Sequence, residues 1–371
     1  MIHATAPVRI ADVGAWTDTW FAGSGRVCNV AVRPGIDVTV RVGERSGPTL
    51  MRLVPEVDTR RVKNEMAAAD GERPSPSPGS SRASVSALAS AAGPGPESWV
   101  VGAERPVKHS LIEAAVARLP PPAEATITIG ASVPPGSGLG TSAAVVVALL
   151  AALAMSRGEV YGPGELAAMA HGVEIDLGLQ SGVQDQWAAA FGGVGDMAVD
   201  YPDVRRREVA LEPEVAGELA SRLLTVYLGL PHESSQLHES VITGLATSDP
   251  HPVFERMRHA AGEAVGALVL GDLRAYGGAL TDHHEAIRSL HPALIGGRAD
   301  AVAAVARGCG ALGWKVNGAG GDGGSMTILG PDRDIARVAL RQAVVSLVDC
   351  RILDLDLAPA GVTATVIAEA E

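Results

Sequence analysis

The chain has 371 residues, of which 47% are hydrophobic and 19% are charged, a composition typical of a globular protein and unlike that of a disordered or fibrous one. Its formal net charge of −12 repels phosphate backbones, so we expect no nucleic-acid partner. Only three residues are lysines, at positions 63, 108 and 315, and the aromatic residues are as few as 5 Trp, 4 Tyr and 3 Phe.

Cysteine usage and apolar runs indicate the compartment. The 3 cysteines are an odd number without paired spacing, which is typical of a reducing cytoplasm and predicts no disulfide. Arg9 and Asp12 fall within the first dozen residues, where a signal peptide would need an apolar run. The longest apolar run, 143–155, is shorter than the ~20 residues that cross a bilayer, so we expect a cytoplasmic protein without a membrane partner.

The first half of the chain shows strand, linker and helix patterns in turn. The β-branched runs 27–32 and 36–42 predict two strands joined as a hairpin around Pro34 and Gly35. The segment 66–98 is rich in Ala, Ser, Pro and Gly, which predicts a flexible surface insertion. A helix is predicted over 109–119 and a strand over 125–133.

Helices dominate the second half. They are predicted at 164–177, 184–191, 234–247, 252–270, 272–290 and 292–312, with short strands at 194–199, 223–228, 325–329, 352–357 and 362–367. The arginines at 205–207 are interpreted as a solvated turn. Because strands and helices do not alternate regularly, the pattern predicts a mixed α+β fold.

A glycine-rich loop between the strand at 125–133 and the longest apolar helix is the strongest chemical signal. Such a loop lets the backbone approach a phosphate chain at the positive end of a helix. It lacks the lysine of a Walker A loop, and by itself it also fits a turn that ends in a helix cap. The residues predicted to bind the nucleotide are Pro135, Gly136, Ser137, Gly138, Leu139, Gly140, Thr141 and Ser142.

This loop, PPGSGLGTSAA at 134–144, resembles the phosphate loop of the GHMP small-molecule kinases. Two further runs resemble that family's first and third motifs, APVRI at 6–10 followed by GAWTD at 14–18, and VNGAGG at 316–321. The resemblance implies an α+β fold of two domains, a ribosomal-protein-like α/β domain over 1–200 and a ferredoxin-like α+β domain over 201–371. It places the active site in the cleft between them.

The resemblance also implies the roles of individual residues. Asp185 would accept the proton of the sugar hydroxyl, and Arg9 would orient it and offset charge at the γ-phosphate of ATP. Glu174 and Ser142 would bind Mg²⁺, which prefers oxygen ligands. The residues implied to bind the acceptor are Trp16, Thr17, Asp18, Gly182, Gly320 and Gly321.

Within the family the motifs look most like those of kinases acting on D-glycero-D-manno-heptose 7-phosphate. Val183 stands where such kinases carry a basic residue, and Trp16 where they carry glycine. The alternatives are therefore a free-sugar 1-kinase of the fucose, arabinose or galactose type, and a catalytically silent regulator. The expected partners are a sugar or sugar phosphate and ATP, and we expect a monomer or a homodimer.

Other conspicuous residues receive plainer interpretations. Lys315 is interpreted as a surface charge, and Asp322 as turned to solvent. The histidines at 232–238 and 283–284 suggest a transition-metal site, but 232 and 238 are spaced off a common helical face and no HExxH pattern occurs.

Overall fold

The computed structural model describes residues 1–44, 47–54, 97–100, 110–179, 181–230, 241–244 and 251–367. In these ranges the strands are Ile2–Val13 (β1), Ser24–Val42 (β2), Thr49–Val54 (β3), Glu97–Val100 (β4), Ala125–Ala131 (β5), Val194–Asp200 (β6), Asp203–Glu208 (β7), Leu223–Tyr227 (β8), Gly313–Val316 (β9), Ser325–Leu329 (β10), Arg351–Leu353 (β11), Asp356–Leu357 (β12) and Thr363–Val366 (β13). The helices are Ser110–Arg118 (α1), Thr141–Ser156 (α2), Pro163–Asp176 (α3), Gln184–Phe191 (α4), Pro213–Arg222 (α5), His251–Leu270 (α6), Leu273–Leu290 (α7), Gly297–Gly308 (α8) and Asp334–Val345 (α9). A short 3-10 helix covers Pro292–Leu294.

The larger sheet is built around the antiparallel pair β1 and β2. Its order is β13-β1-β2-β5-β3-β4, with β6 and β12 also pairing with β2 and β7 pairing with β6. β3 runs parallel to β5, whereas the neighbours of β2 are antiparallel to it. β1 lies beside the central strand β2, and the part of it that carries the first sequence motif is buried.

The predicted hairpin at Pro34 and Gly35 is wrong, because β2 is one continuous strand of 19 residues. β1 pairs with both of its halves, as Ala6 faces Ile36 and Val8 faces Val32. Two extra residues of β2 between these pairs form a bulge instead of a turn, since a single long partner continues the ladder on both sides. A Cβ at Gly35 would lie 2.2 Å from the carbonyl oxygen of Ala6, so the bulge needs a glycine there.

The smaller sheet has the order β11-β8-β10-β9 and is antiparallel throughout. The helix predicted over 292–312 is wrong in extent, because the chain forms the 3-10 turn, α8 and then strand β9. Ile295 bridges to Gly321, and the backbone N–H of Gly296 donates to the carbonyl of Gly321 at 3.2 Å. This backbone pairing interrupts the helix.

The turn predicted at 205–207 is also wrong, although Arg205 and Arg207 are exposed to solvent as predicted. These arginines lie in β7, where they pair with Ala198, Met197 and Asp196 of β6. Side chains alternate between the two faces of a strand. Arg207 accordingly pairs with the carboxylate of Asp196 at 2.8 Å, whereas the guanidinium of its neighbour Arg206 lies 4.9 Å from the ring centre of Phe191.

Helix α2 is central, as its sequence predicts. Eleven of its 16 residues are buried, and it packs against β1, β2, α1, α3 and α4. A helix that is apolar on every side requires such surroundings. Across the described ranges, no helix combines the length and the apolar character that spanning a bilayer would require.

The sheets do not divide at residue 200. β7, β12 and β13 come from beyond that point and lie in the larger sheet, while the smaller sheet is formed wholly from residues 223–353. The domain boundary therefore stays a prediction. The predicted insertion 66–98 lies outside the described residues except for Glu97 and Ser98, which begin β4, and of the predicted helix 234–247 only 241–244 are described, as helix.

Candidate functional site

The glycine loop adopts the backbone that its sequence predicts. Gly136, Gly138 and Gly140 have φ values of 68°, 72° and 73°. Residues with a Cβ rarely adopt this left-handed conformation, whereas glycine adopts it readily. Gly140 is the N-cap of α2. The N–H groups of the first helical turn, which have no partner within the helix, therefore lie where the loop ends. A Cβ at Gly138 would lie 2.8 Å from the carbonyl oxygen of Asn317, which shows how closely the loop approaches the third motif.

A cavity of about 300 Å³ lies over this loop. Five parts of the chain surround it: the glycine loop with the start of α2, the first motif on and after β1, helix α1, the segment from α3 into α4, and the third motif. Its described lining is Arg9, Ala15, Trp16, Asp18, Thr19, Leu111, residues 136–143, Glu174, Leu179, residues 181–182 and 184–186, Gly318 and Ala319. Three distant sequence motifs thus meet at one cavity.

Arg9 and Asp185, which both line the cavity, form an ion pair. The Arg9 Nε donates to Asp185 Oδ1 at 2.8 Å and its Nη2 to Oδ2 at 3.1 Å, and Nη1 donates to the carbonyl of Gly138. Burial opposes the charge of Arg9, but the carboxylates of Asp185 and Asp12 outweigh it and raise the pKa of Arg9. The pair holds Asp185 in one orientation at the mouth of the loop.

Glu174 lies on α3 and points into the same cavity. Its carboxylate accepts a hydrogen bond from Gln186 Nε2 at 2.8 Å and another from the hydroxyl of Ser181. Burial is the main cause that raises the pKa of Glu174 to about 7. A buried carboxyl that is half ionised at neutral pH would gain from a cation beside it.

The donor set around Glu174 fits Mg²⁺. Ser142, in the first turn of α2, lines the same cavity, and within the described chain the buried hydroxyls of Ser137 and Thr141 have no hydrogen-bond partner. Hydroxyl and carboxylate oxygens suit Mg²⁺, which keeps several waters and shares phosphate oxygens with its nucleotide. The described residues contain no cluster of three or more His, Cys, Asp or Glu side chains that could hold a metal ion by themselves.

Asp18 also lines the cavity. It is 2% exposed, and its Oδ2 accepts a hydrogen bond from the backbone N–H of Gln184 at 3.1 Å. Burial is the main cause that raises the pKa of Asp18 to about 6. A Cβ at Gly182 would lie 2.1 Å from Asp18 Oδ2, so a glycine at 182 is what admits this carboxylate.

Some of the predicted site residues lie away from the cavity. Pro135 is exposed, and the hydroxyl of Thr17 donates to the carbonyl of Gly14 at 2.7 Å inside its own turn. Gly320 and Gly321 pack against Leu294, whose carbonyl accepts from the N–H of Gly321 at 2.7 Å. Trp16 does line the cavity, with φ 78° and its ring 6.2 Å from that of Phe21.

The sequence interpretation missed Asp12 and misplaced Lys315. Lys315 is fully buried on β9 and forms an ion pair with Asp12, also fully buried, so its interpretation as a surface charge is wrong. Burial disfavours the ionised form of Asp12, but Lys315 and Arg9 outweigh that effect and lower its pKa. The one available signal was the rarity of lysine together with the position of Lys315 just before the third motif. Asp322 is exposed, as predicted.

The two described histidines of the suggested metal site are core residues. His283 lies 3.3 Å from the carbonyl of Ala15, and His284 accepts from the N–H of Val316 at 3.4 Å. Burial is the main cause that lowers their pKa values, to about 3 and about 4, so both rings are neutral at pH 7. The histidines at 232–238 lie outside the described residues.

Comparison with known proteins gives the family. The family model described as the GHMP kinases N terminal domain matches residues 107–193. The chain is 37% identical over 97 residues to a mevalonate kinase of Methanothermobacter thermautotrophicus, and 33% identical over 111 residues to a D-glycero-alpha-D-manno-heptose 7-phosphate kinase of Campylobacter jejuni. These two matches cover 26% and 29% of this chain and 30% and 32% of the relatives, so each spans about a third of the relative's length.

A longer match and a solved structure extend the similarity. A galactokinase of Mycobacterium tuberculosis is 30% identical over 253 residues, which are 59% of this chain and 69% of the relative. A crystal structure described as a D-glycero-D-manno-heptose 1-phosphate kinase from Bacteroides thetaiotaomicron has a TM-score of 0.67 at 19% identity, covering all of both chains, and shares the α+β fold. With its three motifs gathered at one cavity, the chain belongs to the GHMP kinase family.

Proposed function

We propose that this protein is an ATP-dependent sugar kinase that transfers the γ-phosphoryl group to a sugar hydroxyl. The observation that carries the proposal is the bidentate Arg9–Asp185 pair, which faces the cavity beside a glycine loop that opens into a helix N-terminus. Phosphoryl transfer needs an aligned hydroxyl, a proton acceptor and positive charge around the transferring group. The site offers a candidate for each.

In the proposed reaction Asp185 accepts the proton of the acceptor hydroxyl. The acceptor oxygen forms a bond to the γ-phosphorus as the bond from that phosphorus to the oxygen bridging the β-phosphate breaks, and ADP leaves with the electron pair. The N–H groups at the start of α2 bind the phosphate chain, and Arg9 holds Asp185 in place. Glu174 and Ser142 would hold Mg²⁺, which supplies charge neutralisation across the phosphates when bound.

The acceptor that we propose first is the anomeric hydroxyl of a heptose 7-phosphate or a related sugar, which gives a sugar 1-phosphate. The first-motif and α4 sequences, together with the identity to the Campylobacter jejuni heptose 7-phosphate kinase, support this choice. Asp18 is the acceptor-side carboxylate that would take hydrogen bonds from sugar hydroxyls, as a buried polyol site requires.

One observation favours a free sugar as the second candidate. Among the described residues that line the cavity, Arg9 alone has a basic side chain, and it is already paired with Asp185. Val183, at the position where a cation would be expected, is fully buried. A distal phosphate would find little positive charge there, and the galactokinase match agrees with an unphosphorylated acceptor.

An acceptor screen separates these candidates. ATP consumption is measured with heptose 7-phosphate, galactose, fucose, arabinose and mevalonate, and phosphorus NMR then locates the new phosphate. We expect turnover with a sugar and a phosphate at the anomeric carbon. Turnover with mevalonate alone, or nucleotide binding without turnover on any acceptor, would contradict the proposal, the latter in favour of a silent regulator.

Asp185→Asn should lower kcat by ~10²- to 10⁴-fold, because it removes the proton acceptor, and should leave ATP affinity nearly unchanged. The matched control is Asp176→Asn, which removes an exposed carboxylate that pairs with Arg118 at 2.8 Å. Steady-state kinetics and nucleotide titration provide both readouts. Wild-type turnover by the Asp185 variant would refute its role as the base.

A further inference from the structure

A bulge in β1 places Asp12 beside Arg9. In a regular strand, residues three positions apart point to opposite faces. Between Ile10 and Val13, β1 advances three residues while β2 advances two, and Ala11 takes a positive φ of 52°. The extra residue redirects the side chain of Asp12, so that its Oδ2 lies 3.7 Å from Arg9 Nη2.

Arg9 therefore faces two carboxylates. Asp185 holds its Nε and Nη2 at 2.8 and 3.1 Å, and Asp12 lies just beyond at 3.7 Å. A buried carboxylate without a cation of its own would compete strongly for the guanidinium. Lys315 supplies that cation, since its Nζ binds Asp12 Oδ1. The four residues Lys315, Asp12, Arg9 and Asp185 form a charge chain of two cations and two carboxylates in alternation.

The charge chain also joins the two sheets at the cavity. Lys315 lies on β9 of the smaller sheet, and Asp12 lies on β1 of the larger one. Asp12 Oδ2 accepts from the backbone N–H of Gly318 at 3.0 Å and from Gln184 Nε2 at 3.5 Å. Neither Asp12 nor Lys315 is part of the described cavity lining, so both act through their neighbours.

We propose that Lys315 is a positioning residue that neutralises Asp12 and so keeps Arg9 paired with Asp185. This inference rests on the proposed function, in which Asp185 is the proton acceptor. It predicts that removing the charge of Lys315 and removing the charge of Asp12 have different effects on Arg9. Loss of Lys315 releases a competing carboxylate next to Arg9, whereas loss of the Asp12 charge leaves Arg9 with Asp185 as its partner.

The test compares Lys315→Met, Asp12→Asn and the double variant, with the sugar found in the acceptor screen. We expect Lys315→Met to lower kcat about 10- to 100-fold with the KM for ATP within about threefold, because a displaced Arg9 misaligns the base. Asp12→Asn leaves the buried Lys315 without its carboxylate and should lower Tm, whereas the double variant removes both charges; both should keep kcat within about fivefold of wild type, because Arg9 keeps Asp185 as its partner. Rates are measured at a temperature well below the Tm of each variant. They are normalised to the fraction of the protein that binds nucleotide, so that misfolded protein does not lower the apparent kcat.

Arg222→Met is the matched control, because it also removes a largely buried cation next to the smaller sheet, and the partners of Arg222, Glu218 and Asp332, do not belong to the charge chain. It should lower Tm without changing kcat. A merely structural role for Lys315 would give the same pattern as this control and would overturn the proposal. Should Lys315→Met not fold, a more than tenfold loss of kcat in Asp12→Asn or the double variant would overturn it as well.

A crystal structure of Lys315→Met separates this proposal from the proposed function. We expect Arg9 Nη2 to move onto Asp12 and away from Asp185. Arg9 still bidentate on Asp185 would refute the positioning role whatever the activity. If Arg9 moves but wild-type protein turns over no sugar, the positioning role stands and the proposed function fails.

Discussion

The carboxylates in and beside the cavity differ in the groups that compensate their negative charge. Asp12 and Asp185 form ion pairs, whereas in the described chain Glu174 and Asp18 form none: each accepts hydrogen bonds from neutral groups and lies near the carboxylate of Asp185. Burial therefore dominates the second pair and raises both pKa values, to about 7 and about 6. Carboxyls poised in this way are common where a ligand will supply the missing charge or hydrogen bonds.

Glu174 should make Mg²⁺ binding depend on pH. A carboxyl with a pKa of about 7 must lose its proton to bind a metal ion, so the apparent Mg²⁺ affinity should fall about tenfold per pH unit below 7 and level off above about 8. The Mg²⁺ dependence of turnover between about pH 5.5 and 8.5 measures this effect. Glu174→Gln is the reference, since ATP protonation affects both proteins equally. Equal pH slopes in the two would remove Glu174 from the metal site.

At the scale of elements, the glycine loop before α2, which we propose binds the nucleotide, also contacts Arg9 and Asp185, the proposed catalytic pair. Gly140 has a φ of 73°, and a Cβ there would lie 3.1 Å from the carboxyl carbon of Asp185. Arg9 Nη1 binds the carbonyl of Gly138, and the backbone N–H of Arg9 donates to the carbonyl of Leu139 at 3.0 Å. The loop and β1 are thus held together by one side-chain and one backbone hydrogen bond from Arg9.

Gly140→Ala should lower kcat and raise the KM for ATP, because the methyl group strains the loop and pushes on Asp185. Gly158→Ala is a matched control, with the same φ of 73° and no heavy atom within 4 Å of its added Cβ. Both should lose stability by about 1 kcal/mol from the positive φ alone. Thermal melts and kinetics on the pair separate strain from site geometry, and equal kinetics in the two variants would contradict the expectation.

At the scale of the whole molecule, strands from both halves of the chain form the larger sheet. Residues 203–208, 356–357 and 363–366 complete the larger sheet, and β13 covers the outer edge of β1. The Asp12–Lys315 pair and the bond from Ala11 N–H to Asn317 Oδ1 at 3.1 Å add polar links between β1 and the third motif. The segment 1–200 therefore lacks three strands of the larger sheet, whereas 201–371 carries every described strand of the smaller one.

The fragment 1–200 should therefore not fold stably by itself. It would expose the edge of β1 that β13 covers and leave Asp12 without its cation. Circular dichroism melts of 1–200, of 201–371 and of the two coexpressed provide the test, with the intact chain as control. A cooperative melt of 1–200 alone would show that the boundary at residue 200 separates independent folding units.

The sequence by itself determined the local structure around the site. The positive φ of the loop glycines, the buried helix α2 and helix α4 that begins at Gln184 follow from glycine placement, an unbroken apolar run and helical spacing. These features depend on residues that are neighbours in the chain, and so they can be read from a short window of sequence.

Tertiary structure decided what distant segments do to one another. Pro34 and Gly35 lie in a bulge and not a turn because β1 pairs with both sides of them, and Lys315 is buried because Asp12, 303 positions earlier, lies opposite it. The charge of a lysine predicts exposure until a buried partner compensates for its desolvation. That partner, and the resulting arrangement of Arg9 and Asp185, exist only once the two sheets meet.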